Sequence, residues 1–352
     1  MIGILTFQFA YNYGAQLQAF ALKTYLRNQG YDVEIMNYYS KRMNDGYEYI
    51  LSLKKVFSNP KDVLLYLRRK KQNALFDSFM NKYITSEAPF FSITEKISSK
   101  YTTVIFGSDQ IWNVDITHFD RVYFGQNFEN ICKISYAASI GNSNMIYEWD
   151  KEIIEALNKF EYLSVRERTA KNALENLLKR NISIVCDPVF LLNKSEWQLI
   201  STKPQCMIPS RYILFYSLTA DDQLVYEALR ISSERKIPVL SVHPLCKNWC
   251  RRFKNLKDVG PSEFIWLIMN AEMIITNSFH GTAFSVIFKK DTILSFNDKL
   301  GERNKDLLDL LKIKLSKYDE VNFSEADYQK LNELTQCSKA YLKESLDSQK
   351  KA

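Results

Sequence analysis

The sequence predicts an α/β protein built from two Rossmann-like halves that face a central cleft. Three observations carry this. Apolar residues alternate between strand-like and helix-like periods for most of the length. At 352 residues the chain exceeds one ordinary domain and suits two of about 150–200 residues each. Residues 192–209, with two prolines and few periodic apolar positions, separate two runs of similar plan.

The elements follow in order. Residues 2–7 form a short apolar strand and 8–13 a turn. From Gly14, the apolar positions Leu17, Ala21, Leu22, Tyr25 and Leu26 recur at helical spacing until Gly30, a natural residue to follow a helix. Residues 31–38 read as a second strand. This βαβ unit requires parallel strands and a right-handed crossover. A charged helix over 61–83 precedes a buried strand at 103–106. Strand 132–138, helix 149–160, strand 162–165, helix 167–179 and strand 182–186 complete the first half, closed by Asp187-Pro188. In the second half, strands at 212–218, 239–242, 273–276 and 292–296 alternate with helices at 222–235, 262–270 and 282–289. Residues 325–348 are polar and helical, with no strand partner expected. The domain boundaries predicted are 1–195, 205–315 and a C-terminal helical segment, 316–352. Ligands in such sheets bind beyond the carboxyl ends of the strands, which points to the cleft.

Composition narrows the class. Hydrophobic residues at 46% and charged residues at 25% exclude a disordered chain, and 10 Gly with 8 Pro exclude a collagen-like one. Aromatic residues reach 14%, enough for large cores and stacking surfaces. The net charge of +7 is compatible with anionic small substrates or a loose attachment to an anionic membrane face, and is too small to argue for nucleic acid. The basic run Arg68-Arg69-Lys70-Lys71 and the pair Lys350-Lys351 read as a solvated helix face and a terminus. No secretory signal or apolar run of 18 residues is evident, so the six cysteines are expected to be reduced cytoplasmic thiols. Cys246 and Cys250 lie near His243, but no fourth ligand is evident nearby, and no metal is expected.

Chemistry should gather at the strand ends. After the first strand, residues 12–18 (Asn-Tyr-Gly-Ala-Gln-Leu-Gln) carry one glycine and no G-x-G-x-x-G pattern, so a plain turn is the simpler reading. The helix start still offers free N–H groups to an anion or a sugar hydroxyl. Gly107-Ser108-Asp109-Gln110-Ile111-Trp112-Asn113 follows the strand at 103–106. An aromatic face beside Asp, Gln and Asn is a common way to hold a sugar ring. Arg166, in Ser164-Val165-Arg166-Glu167-Arg168, is either half of a weak surface pair with Glu167 or a clamp for phosphate or carboxylate. The strongest local signal is Thr276-Asn277-Ser278-Phe279-His280-Gly281-Thr282. It sets one of three histidines where a helix start already attracts anions. His118 and His243 have no such setting.

Taken together, these segments resemble the polysaccharide pyruvyl transferase family. The resemblance runs in order over roughly residues 1–315. It also takes in Tyr136-Ala137-Ala138-Ser139-Ile140-Gly141, Cys186-Asp187-Pro188 and Gly260-Pro261-Ser262-Glu263-Phe264. It implies a GT-B-like fold and transfer of pyruvate from phosphoenolpyruvate to a sugar of a cell-surface polysaccharide, forming a cyclic ketal. Lipid-linked precursors at the cytoplasmic membrane face are the expected acceptors, and no cofactor or metal is needed. His280 is then expected to bind phosphate and act as general acid/base, with Asp109 as base or hydroxyl orienter. Arg166, Ser278, Thr282 and Arg303 form the expected donor side, and Asn12, Tyr13, Gln18, Gln110, Trp112 and Asn113 the acceptor side. The family pattern carries an Arg two residues before the His, where this chain has Ser278; Arg303 or Arg166 would supply that charge. Two alternatives stay open on sequence: a nucleotide-sugar glycosyltransferase, with Glu263 holding a ribose, and a non-catalytic saccharide-binding protein of an export system. Oligomeric state is not legible.

Overall fold

The computed structural model describes residues 1–40, 60–295, 301–313 and 320–348, with the side chains at 60–68, 143 and 301–302 left out. Phe296 and the Lys350-Lys351 pair therefore lie outside the described residues, as does the side chain of Arg68.

The first sheet holds β1 (Ile2–Leu5), β2 (Val33–Ile35), β3 (Thr103–Phe106) and β4 (Cys132–Ser135), all parallel in the order β2-β1-β3-β4. β1, β3 and β4 are buried along their whole length, as parallel strands covered on both faces must be. Helix α1 (Tyr13–Asn28) crosses from β1 to β2. Asn12 caps it by accepting from the Ala15 amide, and Tyr31 N–H returns to the Leu26 carbonyl past Gly30. A small parallel pair, β5 (Ser164–Val165) with β6 (Ser183–Ile184), extends this half through bridges from Ile134 to Tyr162 and from Ala138 to Val165.

The second sheet is larger. It runs β12-β11-β10-β7-β8-β9, with β7 (Ile213–Tyr216), β8 (Val239–Val242), β9 (Lys254–Leu256), β10 (Met273–Thr276) and β11 (Asp291–Leu294) parallel. Its edge strand β12 (Glu320–Asn322) pairs antiparallel with β11. This short strand lies inside the segment 316–352 expected to be helical and corrects that expectation there. Three residues with one apolar member, Val321, leave no alternation to read. The stretch 325–348, expected to be helical without a strand partner, holds the helix Gln329–Asp347.

The halves are not separate globules. Tyr13 of α1 stacks on Phe264 of the helix Pro261–Asn270, with centroids 4.4 Å apart and planes at 2°, and its hydroxyl donates to the Val259 carbonyl. Trp197 lies between Phe20 of the first half and Phe284 of the second. The C-terminal helix (Gln329–Asp347) starts against the second half, where Tyr328 donates to the Val286 carbonyl. It ends on the first: Ser338 accepts from the Cys186 amide, Tyr341 donates to the Ser135 carbonyl and Tyr31 donates to Asp347. The long-range apolar core thus runs through both sheets.

Candidate functional site

Two strand-to-helix junctions meet between the halves. α1 presents its first turn from one side. From the other comes the helix Phe279–Phe288, capped by Ser278, whose side chain accepts from the Gly281 amide. Gly14 is where they touch: a Cβ there would lie 2.0 Å from His280 Nδ1, so only glycine lets the imidazole approach α1 this closely. A cavity of about 150 Å³ opens beside the contact, lined by Asn12, Asp109, Gln110, Ser278, His280 and Arg303 among others. Residues of both helix starts stand at its wall, where the helix dipoles favour negative charge.

Behind the cavity wall lies a charged cluster. Arg166, its side chain 2% exposed, reaches Asp187 at 2.5 Å, Glu167 at 3.4 Å and Asp109 at 3.5 Å. Ser108 donates to Asp187, and Ser139 to Glu167 at 2.5 Å. Arg303 stands 4.0 Å from Glu167, and both guanidiniums lie over the Phe279 ring, at 5.4 and 5.5 Å. Gly107 makes the turn that brings Asp109 forward. Its φ is 121°, and a Cβ would meet the Tyr136 carbonyl at 2.3 Å; Asp109 itself sits at φ 72°.

These surroundings set the protonation states. Burial pushes His280 down to about 4, with Arg166 and Arg303 adding to that effect and Asp187 and Asp109 opposing it, so the imidazole is neutral at pH 7. Burial also works to raise Asp187, but His280 and Arg166 outweigh it and hold the carboxylate below its usual range. Glu167 is raised by burial, although Arg166 and Arg303 favour its charge. Burial acts against the Arg166 charge, yet Asp187, Glu167 and Asp109 more than restore it. Arg303 is lowered by burial and by Arg166, the sign of a cation with incomplete pairing.

The sequence-predicted residues divide sharply. Asp109, Gln110, Asn12, Ser278, His280 and Arg303 share the cavity, and Arg166 stands directly behind it. Trp112 does not. It is wholly buried in the aromatic core beside Phe124 and Phe160, and its indole N–H donates to the Tyr123 carbonyl, so no face is left for a sugar. Tyr13 belongs to the seam between halves. Gln18 is buried and donates to Thr6 and the Ala15 carbonyl. Asn113 caps the short helix Val114–Thr117 and donates to Gln110. The Thr282 hydroxyl is buried and donates to the Ser278 carbonyl. For four of these, packing or capping uses up the group that would have held ligand; the Gln18 amide oxygen has no hydrogen-bond partner among the described residues, but the residue is wholly buried and does not line the cavity. The Arg166–Glu167 pair is buried, which removes the weak-surface-pair reading.

Asp187, Glu167 and Ser139 join the charged cluster behind the cavity, and residue-level reasoning left them unassigned. The usable signal for Asp187 and Glu167 was an acid directly after an apolar strand or strand-end Arg, which must find a partner if buried. Elsewhere, His243 Nδ1 accepts from the Leu245 amide and the Cys246 thiol meets Gln72. Among the described residues no group of three His, Cys, Asp or Glu side chains is set to hold a metal ion.

Comparison with known proteins agrees with this architecture. A family profile described as polysaccharide pyruvyl transferase matches residues 12–297. No match is found among curated proteins. Among solved structures, the chain is similar to UDP-N-acetylglucosamine 2-epimerase from Rickettsia bellii, with 13% identity, 99% of this chain and 96% of that chain covered, and a TM-score of 0.52. It is likewise similar to the S. aureus MnaA-UDP co-structure, with 10% identity, 95% and 87% covered, and a TM-score of 0.52. At such identities the likeness is one of fold: two Rossmann-like units in the GT-B manner.

Proposed function

The chain belongs to the polysaccharide pyruvyl transferase family, and from that membership we propose that it moves the pyruvyl group of phosphoenolpyruvate onto a sugar, as a cyclic ketal. The sugar is part of a cell-surface polysaccharide or its lipid-linked precursor, met at the inner face of the plasma membrane. No helix among the described residues is long and apolar enough to cross a membrane. The observation that carries the reading is the small polar cavity with Arg303 and His280 on its wall and two helix starts aimed at it. That is a receptor for a compact anion. Pockets for drug-sized ligands run to about 300–1,000 Å³, and this one is about 150 Å³.

His280, once protonated, delivers its proton to the methylene carbon of the donor, and one sugar hydroxyl bonds to the adjacent carbon while Asp109 receives its proton. The carbon–oxygen bond to phosphate then breaks, and Arg303 and the helix starts stabilise the departing anion. A second hydroxyl closes on the same carbon. Two hydroxyl protons are released and one is consumed at the methylene, so one leaves with phosphate. The nucleotide-sugar alternative is less well supported, because the Glu263 carboxylate already accepts from the Gly260 amide in a capping box.

The test is incubation with phosphoenolpyruvate and a panel of nitrophenyl or lipid-linked sugars, following phosphate release and mass gain. One phosphate per ketal is expected, and His280→Ala should lower kcat by about 10²-fold or more. Turnover of a nucleotide-sugar with no response to phosphoenolpyruvate would replace this reading.

A further inference from the structure

Asp187 is absent from the cavity wall yet touches the groups that make the wall work. It lies at the start of the crossing between halves, where its Oδ1 caps the turn Pro188–Leu191 by accepting from the Val189 amide. Its Oδ2 accepts from Arg166 at 2.5 Å and from Ser108 at 3.3 Å, both in the first half. The same oxygen faces His280 Nε2, in the second half, at 3.7 Å. That is beyond hydrogen-bond length, and Nε2 is buried with no hydrogen-bond partner among the described residues. An unsatisfied buried ring nitrogen is costly, and closing the gap to the Asp187 carboxylate would remove that cost.

Among the described residues, every charged group facing His280 belongs to another element. Asp109 follows β3, Arg166 follows β5, Asp187 follows β6, and Arg303 lies on the helix Gly301–Leu310. α1 brings only uncharged residues, Gly14 and Ala15, to this side. As the side chains stand, Arg166 claims Asp187 and the imidazole stays neutral. A neutral imidazole suits a base and cannot begin a reaction that starts with proton donation.

We propose that Asp187 is a positioning residue that arms His280: an anion in the cavity draws Arg303 and Arg166 towards itself, frees Asp187 to pair with the imidazole, and so makes His280 take up one proton from solvent. The inference rests on the reading that the donor is an anion. The direction follows from charge alone. Arg166 and Arg303 are the cations that oppose protonation of His280, and an added anion offsets both while leaving Asp187 and Asp109 in place. The acid thus forms only in the loaded site, and an empty site holds no poised proton.

The experiment uses the full chain labelled at histidine, with His280 assigned by its loss in His280→Asn. Its ring signals are followed by NMR at pH 7 on addition of inorganic phosphate and, separately, phosphoenolpyruvate. Proton uptake is measured by calorimetry in two buffers of different ionisation enthalpy. Wild type should show His280 passing from neutral to charged, with uptake approaching one proton per anion bound. Asp187→Asn should bind the anion without that uptake, with a nearly unchanged KM for phosphoenolpyruvate. Its kcat should fall by about 10²-fold, and the acid-dependent limb of its pH profile should disappear. If Asp187→Asn does not fold, the wild-type signals decide alone. A His280 that stays neutral with either anion, or uptake that persists in a folded Asp187→Asn, overturns the proposal. Turnover of phosphoenolpyruvate with His280 neutral defeats the proton device and spares the proposed function. A charged His280 under phosphate, with no turnover of phosphoenolpyruvate on any acceptor, does the reverse.

Discussion

The turns after β3 and β10 look alike on paper and behave differently in the fold. Each leaves a fully buried strand at an interior position of its sheet and carries a run of polar and aromatic residues. After β10 the chain enters a helix almost at once, so Asn277, Ser278, Phe279 and His280 all line the cavity. After β3 it makes a longer turn, and only Asp109 and Gln110 reach the same space. Asn113 is spent on capping and Trp112 on the core. A polar cluster past a strand is therefore evidence of a site only for the side chains that the local backbone does not itself require.

The sharpest way to break this comparison is Trp112→Ala. Removing a wholly buried indole should cost about 3–5 kcal/mol, read as a lower denaturation midpoint, while the folded fraction keeps its acceptor KM. A raised acceptor KM with an unchanged midpoint would return Trp112 to the site. Acid comes next. His280 is depressed from 6.5 to about 4, so below pH 6.5 the unfolded chain binds a proton that the folded chain refuses. Stability should fall as pH drops from about 6.5 towards 4, by on the order of 3 kcal/mol from this group. His243, also depressed to about 4 by burial, works in the same direction. A His280→Ala variant should show a shallower acid loss in the same titration; an identical slope would mean that the histidine is solvated. The smallest contrast pairs two caps. Asn113→Ala and Ser278→Ala should each cost about 1 kcal/mol, but only Ser278→Ala should also raise the donor KM. Equal kinetic effects would erase the distinction between the two turns.

Much of the fold was legible because parallel strands covered on both faces are nearly continuous apolar runs. β3, β8 and β10 coincide with the segments read from residues 103–106, 239–242 and 273–276. The edge strands β9 and β12 were not. Lys254–Leu256 and Glu320–Asn322 each hold one buried position, which gives no period to detect. In the site, His280 and Arg303 were legible as rare or charged residues near a helix start or sheet end. Asp187 was visible only as an acid before a proline, since its partners come from residues 108, 166 and 280. Trp112 and Tyr13 misled for one reason: an aromatic ring suits a sugar or a core equally, and only tertiary packing separates the two.

The C-terminal helix has a mechanical consequence. The chain passes from one lobe to the other near Pro188–Leu199, and the helix Gln329–Asp347 spans the same gap a second time as a stiff rod. The two crossings act with the seam as braces: pulling the lobes apart would have to lift Tyr13 off Phe264, draw Trp197 from between Phe20 and Phe284, and bend or detach the helix. Asp187 sits at the foot of one brace. Its hold on Arg166, and the approach of His280 to Gly14 beside the Tyr13 stack, therefore belong to one stiffened joint.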